Sequence, residues 1–309
     1  MDQLFSRANA QRLKKEVTEQ VSERGKFLSG KLYNSLNTLH VTDYYADVEI
    51  EKLLLRQKEI EVQNITKPHL PPEAKGMVYF SPSGASKCNR ELYFKAKNCT
   101  KDEMPFYPYH KRWTRNGTAI HEAVQRDLLY IEKYVPDAPF KVARNDKGMP
   151  MWEETIKTYK VIEHDGVQFG LYGMSDGILV HQEDNTQVGF EFKTKSTTIG
   201  AVGNYKMKDA QEGHKIQCTA YALLFGIYEH LIVYESLAKD KWTANENAKL
   251  DLRVFYHQVK PEDVNALLDK CAYITRCVET ETVPPKESDK CLFCPYKGIC
   301  EEVDHEENK

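Results

Sequence analysis

The sequence predicts an α/β fold: a mixed central sheet flanked by helices, with a helical N-terminal appendage and a C-terminal cysteine cluster acting as a staple. Three observations predict it. Short apolar or alternating runs at 167–172, 178–180, 188–193, 231–235 and 252–259 read as strands. Stretches with helical periodicity fall around 117–131, 210–229 and 261–278. The order is helix, three strands, helix, strand, so a helical crossover joins the strand ending near residue 193 to a short, strongly apolar one at 231–235. Such a crossover connects parallel strands.

Residues 1–65 read as three helices. Leu4, Ala8, Leu13, Val17 and Val21 recur at roughly helical spacing, Gly25 interrupts, and Leu28, Leu32, Leu36 and Leu39 begin a second helix. A third covers about 44–62, and the Pro-rich stretch 67–72 reads as a rigid linker. The expected division is therefore a helical appendage at 1–75 and a core at 76–309. Ser81-Pro82-Ser83 leads into a helix at 91–94, with Cys88 at or just before its start. An aromatic, Pro-containing segment at 105–113 precedes the helix that carries His121. There His121, Val124 and Leu128 follow i, i+3, i+7, which sets the imidazole along the apolar stripe. Residues 139–165 show no clear periodicity. In the helix at 210–229, Gln217 and Tyr221 stand at i and i+4 and share a face. Pro261 opens the last long helix at its first turn.

The chemistry concentrates in a hairpin. Asp176 heads one strand, Glu183 to Thr186 form a polar turn, and Glu191-Phe192-Lys193 ends the next strand. Residues two apart on a strand face the same way, so Glu191 and Lys193 project together, opposite Phe190 and Phe192. Two converging carboxylates suit Mg²⁺ or Mn²⁺, and an imidazole facing the core can add a third ligand. Such an ion polarises a phosphoryl oxygen and lowers the pKa of water, while the lysine orients that water or stabilises developing charge.

The tail holds Cys291, Cys294 and Cys300 in a C-x2-C-x5-C pattern. In a reducing compartment this spacing signals metal ligation by thiolates, to zinc or an iron–sulfur cluster. Both usually take four ligands. Cys88 is the best fourth; Cys99, Cys218, Cys271 and Cys277 are alternatives.

Composition excludes several classes. Lys and Arg total 43 against 46 Asp and Glu, a net charge of −3, so any contact with DNA comes from a local patch. The polar N-terminus and the lack of a long apolar run predict a soluble, cytoplasmic protein with no membrane role. No G-x4-G-K-(S/T) loop is present, so no helicase engine is expected.

Taken together, six motifs in order resemble the RecB-like branch of the PD-(D/E)XK nucleases, and more closely its iron–sulfur members, such as the nuclease domain of AddB and the CRISPR-associated exonuclease. They are the S-P-S segment with Cys88 and Arg90, Gly117 with His121, Gly173 with Asp176, Glu191 with Lys193, Gln217 with Tyr221, and the cysteine tail. Ser175 stands where the superfamily's name has Pro, and residues 1–75 lie outside the resemblance. The resemblance implies a restriction-endonuclease-like core. It implies that His121, Asp176, Glu191 and the Phe192 carbonyl hold Mg²⁺ or Mn²⁺, and that Lys193 positions the attacking water. Gln217 and Tyr221 would brace the site. Cys88, Cys291, Cys294 and Cys300 would bind a 4Fe-4S cluster, with Zn²⁺ the lesser alternative. The expected activity is a metal-dependent DNA exonuclease acting on single strands or duplex ends in replication, recombination or repair, leaving 5′-phosphates. Its expected partners are DNA, with a homo-oligomer or replication and recombination proteins as further ones, and the stand-alone architecture suggests a phage or mobile element. The competing expectation is a catalytically silent DNA-binding subunit of a recombination or repair complex.

Overall fold

The computed structural model describes residues 7–43, 46–68, 70–103, 105 and 107–307. Leu4, Tyr44 and His69, which the sequence places in the first helices and the linker, lie outside the described residues. The elements in chain order are α1 (Arg7–Leu39), α2 (Val48–Asn64), β1 (Tyr79–Phe80), α3 (Asn89–Ala96), α4 (Pro108–Tyr134), β2 (Phe140–Val142), β3 (Thr158–His164), β4 (Val167–Gly173), β5 (Gly177–His181), β6 (Gln187–Lys195), α5 (Glu212–Phe225), β7 (Glu229–Ser236), β8 (Leu252–Gln258), α6 (Pro261–Glu279) and α7 (Lys297–Glu307).

The strands form two sheets. One has the order β1-β4-β3 and the other β2-β5-β6-β7-β8. In the larger sheet β5 and β6 form the expected antiparallel hairpin, and β6 runs parallel to β7 after the α5 crossover. β8 returns antiparallel to β7. The sheets are mixed and helices flank them, as the sequence predicts. The strand at 167–172 belongs instead to the smaller sheet, where β4 pairs with β3 over its whole length.

Helices cover the larger sheet on both faces, which decides the fate of β6. Val188, Phe190 and Phe192 join Leu28, Leu32, Leu36 and Leu39 of α1 and Val124, Leu128 and Leu129 of α4 in one core cluster. Burying each such side chain contributes about 1.5–3 kcal/mol. The opposite face packs on α5, whose Cys218 and Ala222 meet Ile232 and Tyr234 of β7. Glu191 pairs with Ile232 and so looks toward α5. Residues 188–192 are consequently buried without alternation, Glu191 included.

Gly25 does not interrupt the first helix, which runs unbroken from Arg7 to Leu39. A Cβ at Gly25 would lie 2.6 Å from Cδ1 of Tyr256 on β8, so the glycine serves close helix–sheet approach rather than a break. Next to it, the Arg24 guanidinium bonds Glu229, Asp184 and Thr186, pinning α1 to β7 and to the β5–β6 turn. Gly173, at the end of β4, has no left-handed backbone either. Its missing Cβ would lie 2.6 Å from Cδ of Pro82, and this close contact seats the S-P-S segment against the end of β4. Among the described residues no helix is long and apolar enough to cross a membrane.

Candidate active site

Three elements meet at the β5–β6 end of the larger sheet. β4 ends in one sheet and β5 begins in the other, and Met174-Ser175-Asp176 crosses between them. Asp176 turns its Oδ2 onto the backbone N–H of Phe192, which donates to it at 2.8 Å. From α4, Nε2 of His121 lies 2.8 Å from the Phe192 carbonyl oxygen and 3.7 Å from Oδ2 of Asp176. In the metal-free site Nε2–H of His121 donates to this carbonyl, and a small cation with ligands at about 2.1 Å in octahedral array, whose adjacent ligand atoms stand about 3.0 Å apart, would replace that hydrogen bond with little movement of either group.

A residue with no signal in the sequence joins them. Glu153 sits on a short 3-10 turn with φ +43°, in the left-handed region. Its backbone N–H donates to the Ser175 carbonyl at 2.8 Å, and the preceding Trp152 is fully buried with its indole N–H on Oε1 of Gln57 in α2. Held this way, Oε1 of Glu153 comes 4.0 Å from Nδ1 of His121. His121, Glu153 and Asp176 each bring a ligand atom within 4.8 Å of the other two. Gln125, one turn beyond His121, is buried and donates to Oε1 of Glu153 at 3.3 Å and to the Asp176 carbonyl at 3.0 Å. It positions the loop that the sequence leaves without a holder.

Glu191 stands outside that three-residue group. It is fully buried, Lys193 forms an ion pair with its Oε1, and neither carboxylate oxygen has a well-formed hydrogen bond. Burial, and then the Asp176 charge, push its carboxyl well above the ordinary range. Burial works to lower the Lys193 pKa, but Glu191 and Asp176 outweigh it and hold the ammonium charged. Glu153 is also pushed up, by burial and then by Asp176. Burial leads the shift of both carboxyls, and the charge of Asp176 adds to it while also raising Lys193, so three carboxyl groups share one ammonium here. On α5, Nε2 of Gln217 donates to the Tyr221 hydroxyl at 2.7 Å; both side chains are buried, and Tyr221 lies beside Glu191.

The cluster opens into a cleft of about 760 Å³ bounded by α2 (Glu61, Asn64), α4 (Gly117, His121) and β6 (Phe192, Lys193). The second helix of the N-terminal segment thus forms one wall of the cleft.

The cysteines gather elsewhere, behind the smaller sheet. Cys294 and Cys300 are buried in a cluster with Tyr93, Phe94, Tyr296 and Cys277; partly buried Cys99 packs on it. Cys88 is buried at the N-cap of α3, and Cys291 is half-buried. Arg90 links the segments, donating to Sγ of Cys300 at 3.4 Å and to the Pro284 carbonyl at 2.7 Å, with Asp304 as a further partner.

A family model described as the PD-(D/E)XK nuclease superfamily matches residues 110–301. Among solved structures, that of SSO0001 is similar with TM-score 0.43 and 14% identity, covering 83% of this chain and 98% of that one. The alkaline exonuclease (LHK-Exo) from Laribacter hongkongensis is similar with TM-score 0.40 and 11% identity, covering 67% of this chain and 90% of that one. No curated protein matches the chain. The family model spans more than half of the sequence, from the first turn of α4 through the cysteine tail, and the chain belongs to the PD-(D/E)XK nuclease superfamily.

Proposed function

We propose that the protein is a divalent-cation-dependent deoxyribonuclease, an exonuclease on single strands or duplex ends. The observation that carries this is the meeting of His121, Asp176 and the Phe192 carbonyl beside a buried, hydrogen-bond-poor Glu191 paired with Lys193. The donor set fits the cation the superfamily uses. It is hard oxygen with one imidazole, and its excess negative charge asks for a positive ion. His121, Asp176, Glu191 and the Phe192 carbonyl would hold Mg²⁺ or Mn²⁺, and Glu153 is close enough to contribute. When bound, the ion supplies Lewis-acid polarisation of the phosphodiester and activation of water.

The chain's own groups do the rest. Lys193 keeps its charge at the cleft, where an ammonium can orient a water and stabilise charge developing on phosphate oxygens. Glu191 holds that ammonium in place. The Gln217–Tyr221 pair fixes the wall behind Glu191, and burial on the α5 side shuts bulk water out of the lysine–carboxylate pair. Gln125 holds the Asp176 loop against α4.

We further propose that Cys88, Cys291, Cys294 and Cys300 bind a 4Fe-4S cluster. The C-x2-C-x5-C spacing of Cys291, Cys294 and Cys300, with Cys88 as a fourth thiol at the N-cap of α3 and Arg90 joining that helix to Cys300, supports this reading.

The test uses anaerobically purified protein with end-labelled single-stranded and duplex DNA, in Mg²⁺, Mn²⁺ or EDTA. Asp176→Ala and Glu191→Ala are expected to abolish cleavage and to leave iron content unchanged. Cys291→Ala is expected to lower iron, near-400 nm absorbance and melting temperature together. A Glu191→Ala protein cutting at the wild-type rate defeats the site assignment; wild-type protein rich in zinc and poor in iron defeats the cluster assignment.

A further inference from the structure

The first turns of α4 stand away from the chemistry described so far. Between Glu103 and Glu122 the chain has no acidic residue, yet it carries Lys111, Arg112 and Arg115 in a protein whose net charge is −3. Residues 111–116 are all exposed. On this stretch Tyr107, Tyr109 and Trp113 are 53%, 47% and 51% exposed. Their rings hold one another rather than the core. Tyr107 and Tyr109 stack with planes 6° apart and centroids 6.0 Å apart, and Trp113 meets Tyr109 edge-on at 5.8 Å. Three large rings ordered in water among cations form a surface that awaits flat, apolar, anionic material.

The helix leads from this surface to the cleft. Trp113 precedes His121 by eight residues and Tyr109 by twelve, about 12 and about 18 Å along the axis at a rise of about 1.5 Å. Gly117 lies between them and lines the cleft. A Cβ there would lie 3.5 Å from Oγ1 of Thr194, so at Gly117 the helix runs close beside β6 on its way from the rings to the site.

We propose that Tyr107, Tyr109 and Trp113, with Arg112 and Arg115, form a stacking platform for the bases of a single DNA strand whose backbone continues into the His121–Asp176 cleft. At the stacked spacing of about 3.4 Å per nucleotide the platform lies at most about five nucleotides from His121, and fewer on an extended strand. This rests on the nuclease reading of the cleft. Stacking on aromatic side chains accepts any base, because every base has a π-face, so the platform grips a strand without selecting sequence.

The experiment is fluorescence anisotropy with the full chain in EDTA, using a labelled oligothymidylate of about twelve nucleotides and the same strand with abasic units at its centre. The variants are Tyr109→Ala/Trp113→Ala and Trp113→Phe, each with a melting curve to confirm the fold. Hydrolysis of thymidine 5′-(p-nitrophenyl phosphate), too short to reach the platform, is followed in Mn²⁺. The double variant is expected to bind oligothymidylate about tenfold or more weakly and to hydrolyse the small ester at the wild-type rate. Trp113→Phe retains affinity. The abasic strand is expected to bind wild type as weakly as the intact strand binds the double variant. Unchanged affinity in a folded double variant overturns the platform. So does a double variant that loses as much affinity for the abasic strand as for the intact one, since that loss would not be stacking. Failure of wild type to hydrolyse either DNA or the small ester in any metal strikes the nuclease reading instead, while the anisotropy still decides the platform.

Discussion

Replacing Glu153 by Gln pulls apart two effects that one carboxylate combines. In the metal-free protein its charge is unfavourable, since burial and then Asp176 push its carboxyl up. Glu153→Gln removes that charge while its amide oxygen can still accept from Gln125, now 3.3 Å away. Without metal the variant is expected to melt at or above the wild-type temperature. With metal the order reverses. A cation at about 100 times its Kd stabilises wild type by about 2.7 kcal/mol. Unfolding a chain of 309 residues carries about 0.65 kcal/mol/K of entropy at about 2.1 cal/mol/K per residue, so the melting temperature rises by about 4 °C. If loss of one ligand weakens binding about tenfold, the same ion concentration gives about 1.4 kcal/mol and about 2 °C. A hundredfold weakening leaves about 0.4 kcal/mol and a shift below about 1 °C. Scanning fluorimetry across a Mn²⁺ titration at fixed ionic strength reads both quantities. A variant that melts several degrees low without metal, or that shows the full wild-type shift with it, refutes the placement of Glu153 in the cation site.

Two further outcomes are expected. Gly25→Ala forces a Cβ to 2.6 Å from the Tyr256 ring, whose hydroxyl is fixed on Glu229 and Gln258. Overpacking of about 1–3 kcal/mol outweighs the helix-propensity gain of about 0.5–1 kcal/mol, so urea midpoints fall, and a rise would show that α1 does not press on β8 there. His230 of β7 is buried with its ring over Gly189 of β6, and its pKa is lowered to about 3, by burial first and then His257. A folded-state pKa below the unfolded value near 6.5 means that unfolding takes up a proton in acid. Its stabilisation is present above about pH 6.5 and falls by about 1.4 kcal/mol per pH unit toward pH 3. Urea titrations at several pH values should show a shallower acid slope for His230→Gln, and identical slopes would remove His230 from the account.

Much of the fold was legible because its signals are local. The β5–β6 hairpin, the α5 crossover and the Pro261 helix start each rest on periodicity or turn chemistry within a dozen or so residues. The errors came where packing partners decide. Gly25 carries the composition of a helix breaker, yet its conformation is helical and its function is distance to Tyr256, a residue 231 positions away (256 − 25). Alternation along β6 identified the face of Glu191 and Lys193 but could not say that α5 would cover that face, which turns a surface carboxylate into a fully buried one.

The site shows the same division, and it explains why Glu153 was missed. Asp176, Glu191 and Lys193 lie on one hairpin, so their spacing declares them. Glu153 lies in a stretch without periodicity. It reaches His121 only because Trp152 is locked into the core, with its indole on Gln57 of α2, and because the Ser175 carbonyl takes its N–H. No pattern within residues 139–165 encodes either anchor. A left-handed φ of +43° at a non-glycine residue costs energy and persists only where surroundings fix it. Here the surroundings are α2, which walls the cleft, and the Asp176 loop. The N-terminal helices, which by sequence carry no chemistry, therefore set the position of a carboxylate in the site. Loosening the Trp152–Gln57 contact should reach the cation before it reaches the fold.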